Sequence, residues 1–145
     1  WRRAWAKMSL QLEGFEDFVR QHEIQSLTDA PMAQAYMLEK FRATQAGENN
    51  SWAYAWAYSV LKNNGLSIVP RVNLVQNTGI GALEATHTKR SDPQAKIKAS
   101  SLEFPLVHPT QITRLPGLDR EIFYATQKSR VRLTLWFLLQ KFGLR

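Results

Sequence analysis

The sequence contains no cysteine, fewer acidic than basic residues and no long apolar run. Without cysteine, neither a disulfide scaffold nor a cysteine-based zinc site can form, and a reducing compartment is permitted. No apolar run reaches the roughly 18 residues that span a bilayer, and no signal peptide is visible. The chain begins with Trp1 rather than Met, so we expect it to be part of a longer protein.

The basic charge is concentrated in one short segment. The formal net charge is +7, and residues 128–145 contain five basic residues and no acidic one, which leaves +2 for the rest. Nucleic-acid-binding proteins carry basic residues over a broad face, so we expect no nucleic-acid partner. The same segment has apolar residues at helical spacing, namely Val131, Leu135, Trp136, Leu138, Leu139 and Phe142. This pattern is typical of a helix at an anionic membrane surface, and equally of a helix packed on another part of the protein.

Helical patterns dominate the first 63 residues and return near the end of the chain. Pro31 predicts the first turn of one helix, and Gly47 predicts where that helix ends. Ser51 is predicted to cap the start of the next helix. A last helix is predicted from Asp119 to Phe142.

Between these helices, residues 66–70 and 72–77 are β-branched and bounded by glycine and proline, so they are predicted as strands. Two strands alone are marginal in water. We therefore predict an α/β fold whose main sheet is built by another part of the parent protein.

An ordered series of motifs carries a resemblance to a known family. WRRAW, SWAYAW, NNGLSIVPRVNLVQNTGIG, EATHT and EFPLVHP follow one another between residues 1 and 109. The series resembles the C-terminal half of bacterial nucleotide-diphospho-sugar transferases, A-type glycosyltransferases related to glycosyltransferase family two. The resemblance implies the C-terminal portion of that fold, helix-rich with a few short strands. It divides the chain into an acceptor-side part, 1–118, and a basic amphipathic helix, 119–145.

The resemblance also implies a reaction and its partners. A sugar would pass from a nucleotide-diphosphate donor to a saccharide or a lipid-linked acceptor in polysaccharide biosynthesis. The nucleotide-binding sheet and acidic metal motif of the family belong to its N-terminal half and have no counterpart here, so we expect the chain alone to be inactive. We expect a cytoplasmic location, with the inner face of the membrane as the more specific alternative, and membrane contact through residues 128–145.

His87 is the predicted metal ligand. A neutral imidazole binds Mn-like or Zn-like ions well, and the resemblance implies that this histidine completes the shell of a divalent Mn or Mg ion. The alternative is a histidine that is hydrogen-bonded within a loop.

Two asparagines and two glycines that precede His87 in the sequence are predicted to contact the substrate. Asn73 and Asn77 lie four apart, so in an extended segment their amides face the same side. Gly79 and Gly81 permit left-handed backbone or a close approach to a diphosphate. The alternative for both asparagines is hydrogen bonding to nearby backbone.

Trp52 and Trp56 lie one helical turn apart, and their flat rings suit a sugar-binding wall. The alternative is that both are core residues. Some members of the family that the series resembles have Asp and Gln where this chain has Ala53 and Ala55.

A base must remove the proton of the acceptor hydroxyl, and the absent Asp leaves Glu48 and Glu84 as candidates. The alternative for both is an exposed surface glutamate. If no base is present, the chain is a degenerate carbohydrate-binding module. A separate alternative, based on residues 128–145, is a membrane-surface interaction protein.

Overall fold

The computed structural model describes residues 2–49, 51–76, 78–80, 97–127 and 129–143. The predictions for Asn77, Gly81, Glu84 and His87 therefore lie outside the described residues. Within them the chain forms a 3-10 helix, Glu23–Ser26, and six α-helices: α1 (Arg2–Trp5), α2 (Phe15–Arg20), α3 (Pro31–Gln45), α4 (Trp52–Lys62), α5 (Pro116–Thr126) and α6 (Arg130–Lys141). In this part of the chain, no helix combines the length and the apolar character that crossing a membrane requires.

The predicted α/β fold is wrong for the described residues, because they contain no β-strand. Residues 66–70 and 72–76 have no strand ladder. Among the described residues, one hydrogen bond between backbone groups joins the second segment to residues 97–100, from the N–H of Ser100 to the carbonyl of Asn73 at 2.7 Å. β-branched residues favour extended backbone, but a strand forms only when a neighbour satisfies its N–H and C=O groups. The described residues thus show no sheet of an A-type glycosyltransferase.

The predicted final helix, Asp119 to Phe142, is two helices. α5 begins at Pro116, whose ring fixes the backbone angle suited to a first helical position. It ends before Gln127, which has extended backbone. Ser129 then caps α6, because its hydroxyl accepts a hydrogen bond from the N–H of Arg132 at 3.3 Å. A hydroxyl cap at this point starts a new helix and divides the predicted one.

α3 and α4 end in the same motif, which sets the direction of the chain after each helix. Gly47 has a left-handed φ of 73°, and the N–H of Glu48 donates to the carbonyl of Ala43 at 2.9 Å. Asn64 has a φ of 51°, and the N–H of Gly65 donates to the carbonyl of Val60 at 2.8 Å. These bonds define Schellman motifs, which satisfy carbonyl groups that a helix end leaves unpaired. The predicted end at Gly47 is confirmed.

Four aromatic rings form the centre of the core. Phe15 and Phe18 come from α2, Phe41 from α3 and Tyr58 from α4, and each is at most 2% exposed. All six pairs have ring centroids between 5.2 and 6.4 Å, and most meet edge to face. We call this group the aromatic tetrad. Such pairs add about 0.5–1.5 kcal/mol each beyond the burial of apolar area, so the tetrad fixes three helices relative to one another.

The tetrad also anchors the turn before α2. The Tyr58 hydroxyl donates to the carbonyl of Glu13 at 2.8 Å, and the ammonium of Lys62 donates to the same oxygen. Burial, with a smaller contribution from nearby carboxylates, raises the pKa of Tyr58 to about 12. The phenol is thus held neutral while it ties α4 to the preceding chain.

We predict that Phe41→Ala lowers the free energy of unfolding by about 3–5 kcal/mol, because it opens a cavity within the tetrad. Phe142→Ala is the matched control: its ring is 67% exposed, and a change within about 0.5 kcal/mol is expected. Urea unfolding followed by circular dichroism measures both, and equal losses in the two variants would contradict the assigned core.

The raised pKa of Tyr58 predicts how the stability of the protein changes at alkaline pH. The unfolded phenol ionises near pH 10.0, whereas the folded one keeps its proton up to a pKa of about 12. This contribution to stability is therefore complete below pH 10 and is lost as the pH rises from 10 towards 12. Tyr58→Phe should be less stable at neutral pH by about 0.5–1.5 kcal/mol, through the lost hydrogen bond, but should lose less stability in the alkaline range. If the free energy of unfolding falls with pH equally in the unmodified chain and in Tyr58→Phe, the phenol is not buried.

Candidate functional site

Three tryptophans meet at the surface where α1 reaches the start of α4. The ring of Trp5 lies 5.8 Å from that of Trp52 and 5.2 Å from that of Trp56, measured between centroids. Trp5 is 48% and Trp52 57% exposed, and Trp56 is half-buried. We call these three residues the indole cluster. It presents flat apolar rings to solvent, with an indole N–H on each ring as a hydrogen-bond donor.

The packing of α4 explains why the indoles face outward. Ala55, Tyr58 and Ser59 form the buried face of the helix, and Ala55 and Tyr58 belong to the core around the tetrad. Trp56 points away from Tyr58, whereas Trp52 is in line with Ser59 but is exposed in the first turn of the helix. The alternative that both are core residues is therefore wrong for Trp52 and only partly right for Trp56.

A groove lined by both polar and apolar side chains adjoins the indole cluster. It has a volume of about 620 Å³ and runs between α1, the end of α4 and residues 65–68. We call it the N-terminal groove, and its polar and aromatic lining consists of Arg3, Lys7, Trp56, Ser59, Asn63 and Ser67. The Schellman turn at the end of α4 directs residues 65–68 along its wall.

Among the residues that the structure describes, the N-terminal groove is lined by two cations and by no carboxylate. Within the described ranges, neither Arg3 nor Lys7 has an ion pair or a hydrogen bond from its side chain. A guanidinium and an ammonium group without acidic neighbours attract phosphate or carboxylate groups. The arrangement is therefore suited to a ligand that combines a flat apolar face with hydroxyl or anionic groups.

Ser59 holds the floor of the groove in place. Its hydroxyl donates to the carbonyl of Ala55 at 2.8 Å and accepts from the N–H of Ser9 at 2.9 Å. The hydroxyl of Ser9 in turn accepts from the N–H of Glu13 at 2.9 Å. This chain of bonds fastens the segment after α1, and with it the position of Lys7, to α4.

The structure does not bring the other described candidates to this site. Glu48 is exposed and lies in the turn after α3, and it is not part of the groove lining. Asn73 donates from its side-chain amide to the carbonyls of Val75 at 2.7 Å and Lys98 at 2.9 Å. The bond to Val75 is of the local kind that the alternative for this asparagine describes, whereas the bond to Lys98 joins a segment 25 residues away. Gly79 lies in an exposed turn.

The metal prediction is not tested by the described residues. They contain no group of three or more His, Asp or Glu side chains that could hold a metal ion. His87 and Glu84, the residues on which that prediction depends, lie outside them.

A second groove, of about 930 Å³, lies between α3, α5 and α6. Tyr36 is at its centre, with ring centroids 5.7 Å from Phe123 and 6.1 Å from Trp136. Burial, together with the neighbouring Tyr54, raises the pKa of Tyr36. Glu39 lines the same groove, and its Oε2 atom is buried with no hydrogen-bond partner among the described residues. A carboxylate oxygen without a donor is costly to bury, so this acid is chemically distinct from the exposed glutamates.

Sequence reasoning missed Trp5, the two groove cations and Glu39. WRRAW was recognised as a motif, but nothing in the sequence pairs its second tryptophan with residues some fifty positions later. Arg3 and Lys7 fall in the part of the chain whose charge is nearly balanced. Glu39 lies in a regular helical pattern, where a glutamate is usually a surface residue.

Comparisons of the chain with protein-family models, with curated proteins and with solved structures found no match in any of the three. Assignment of a function therefore depends on the motifs and on the geometry of the site.

We predict that Ser59→Ala lowers the free energy of unfolding by about 1–3 kcal/mol, because it leaves the N–H of Ser9 without its acceptor. Amide exchange of Ser9 should accelerate more than that of residues within α3. Ser67→Ala, in the same groove but exposed, should change neither property. Unchanged exchange at Ser9 in the Ser59 variant would show that this bond does not hold the segment.

Proposed function

We propose that the chain binds a saccharide acceptor on the indole cluster and the N-terminal groove, as the acceptor side of a glycosyltransferase that uses a nucleotide-diphosphate sugar. The observation that carries the proposal is the exposed indole cluster next to a groove lined by hydroxyl, amide and cationic groups. The ordered motifs of the sequence support the reaction type. With no cysteine in the chain, a cytoplasmic location suits it.

The physical basis is the match between a sugar ring and this surface. One face of a pyranose presents C–H groups, which pack on an indole ring, while its hydroxyl groups need polar partners around the edge. Trp52 and Trp56 offer the ring faces, and Asn63 and Ser67 offer hydrogen-bonding groups. Arg3 and Lys7 add affinity for an acidic sugar or for the phosphate of a lipid-linked acceptor.

Acceptor binding is the function that we propose for the described residues. Removal of the acceptor proton is assigned by prediction to Glu48 or Glu84. Ligation of a divalent ion is assigned by prediction to His87. No described carboxylate lines the N-terminal groove, so neither chemical role is attached to it.

A second candidate function is saccharide binding without turnover. Ala55, where some members of the family that the motifs resemble have Gln, is 1% exposed and packs in the core around the tetrad. Ala53, where those members have Asp, is exposed beside Trp52 and offers no carboxylate. The first replacement has a role in packing, whereas the second removes a potential base next to the indole cluster. Ala53 is the observation that favours this alternative.

The test is binding of a panel of neutral and acidic oligosaccharides to the chain, followed by calorimetry. We expect Trp52→Ala to weaken binding about tenfold and Trp52→Phe to retain most of the affinity, because a phenyl ring preserves a flat face. Phe104→Ala is the control, since this ring is 78% exposed and lies outside both grooves. Equal affinity of the Trp52→Ala variant and the unmodified chain would contradict the assigned site.

Two further measurements separate the alternatives. Arg3→Ala and Lys7→Ala should weaken acidic ligands more than neutral ones, whereas Arg2→Ala, next in sequence but outside the groove lining, should not. Release of nucleoside diphosphate from a nucleotide sugar, when the chain is joined to a nucleotide-binding half of the resembled family, would support the transferase. Binding of acceptor with no turnover in that joined protein would support the carbohydrate-binding module.

A further inference from the structure

α6 has two apolar faces, and only one is packed. Leu133 is 7% exposed, and the ring of Trp136 meets Tyr36 of α3 at 6.1 Å, so this face is directed towards α3. With about 100° of rotation per residue, a second set of apolar residues lies on the opposite side of the helix and its C-terminal cap. We call this set the exposed stripe; its members are Val131 (79% exposed), Leu135 (59%), Leu138 (43%) and Phe142 (67%).

Basic side chains lie along both borders of the exposed stripe. Viewed down the helix axis, Arg130 and Lys141 lie on one side of the stripe, and the guanidinium of Arg130 is 5.4 Å from the ring centroid of Tyr124. Arg132 lies on the other side, between the stripe and the groove of α3, α5 and α6, which it also lines. All three are exposed, and α6 contains no acidic residue. Long basic side chains in this position extend their charged ends to the polar layer beside an apolar surface.

We infer that the exposed stripe binds the surface of an anionic lipid bilayer, with α6 parallel to the membrane plane. The apolar side chains enter the boundary of the acyl chains, while the three cations reach the lipid phosphates. A second copy of the chain fits this face poorly, because pairing two stripes would bring identical cations together without an acid between them. The inference stands apart from the saccharide proposal, since it depends on different residues.

The first experiment measures binding of the chain to vesicles of phosphatidylcholine alone and with roughly a third phosphatidylglycerol. We expect binding to the anionic vesicles that falls with salt, and much weaker binding to the neutral ones. Leu135→Gln combined with Leu138→Gln should reduce the partition coefficient by at least about tenfold, because less apolar area enters the bilayer. The control is Val107→Gln combined with Ile112→Gln, exposed apolar residues outside α6 that are 96% and 89% exposed.

A charge variant tests the second half of the inference. Arg130→Gln with Lys141→Gln should weaken binding to anionic vesicles by roughly tenfold and leave the weak binding to neutral vesicles unchanged. Far-ultraviolet circular dichroism checks that each variant keeps its helices. Equal binding of the stripe variant and the control variant would overturn the inference. So would concentration-dependent self-association that the stripe variant abolishes, since a second copy would then cover this face.

The orientation of α6 can be measured because the chain has no cysteine. An environment-sensitive dye on Leu138→Cys reports from the exposed stripe, and the same dye on Gln140→Cys reports from the opposite side of the helix. Spin-labelled lipid should quench the first dye strongly and the second weakly. Equal quenching at both positions would exclude the parallel orientation and overturn the inference.

Discussion

The edge-to-face packing of four aromatic rings is the interaction on which the described fold depends. Phe15, Phe18, Phe41 and Tyr58 come from three helices, and each ring contacts the other three. Ring edges carry partial positive charge and ring faces partial negative charge, so this contact favours particular angles as well as close approach. The tetrad therefore determines how α4 is rotated about its own axis. That rotation places Ala55 inside and turns Trp56 towards the surface, while Trp52 is exposed in the first turn of the helix.

The rotation of α4 links the core to the candidate site. Had the tryptophans been buried, the N-terminal groove would have lost its aromatic wall. Ser59, a buried residue of the same helix, also connects the core to the site. It holds the segment after α1 and thereby keeps Lys7 beside the groove. Core and site thus use neighbouring residues of one helix, one turn apart.

Local signals in the sequence predicted where the helices begin and end more successfully than they predicted how segments pack together. Pro31 and Gly47 act through their own backbone preferences, which need no distant partner, and both predictions agree with the structure. The strand predictions were wrong because a strand needs a distant partner. Residues 66–70 and 72–76 have side chains that favour extended backbone, but pairing depends on another segment. Trp5 joins Trp52 and Trp56 only in three dimensions, so no local pattern could have shown the complete cluster.

The packing of Leu133 and Trp136 against α3 has an entropic consequence. Many amphipathic segments are disordered in solution, and the free energy of ordering them is subtracted from their affinity for a surface. α6 is already helical, is capped by Ser129 and is fixed on one side by the rest of the protein. Its free face is thus preorganised, and the area it buries contributes to affinity with little loss for conformational ordering.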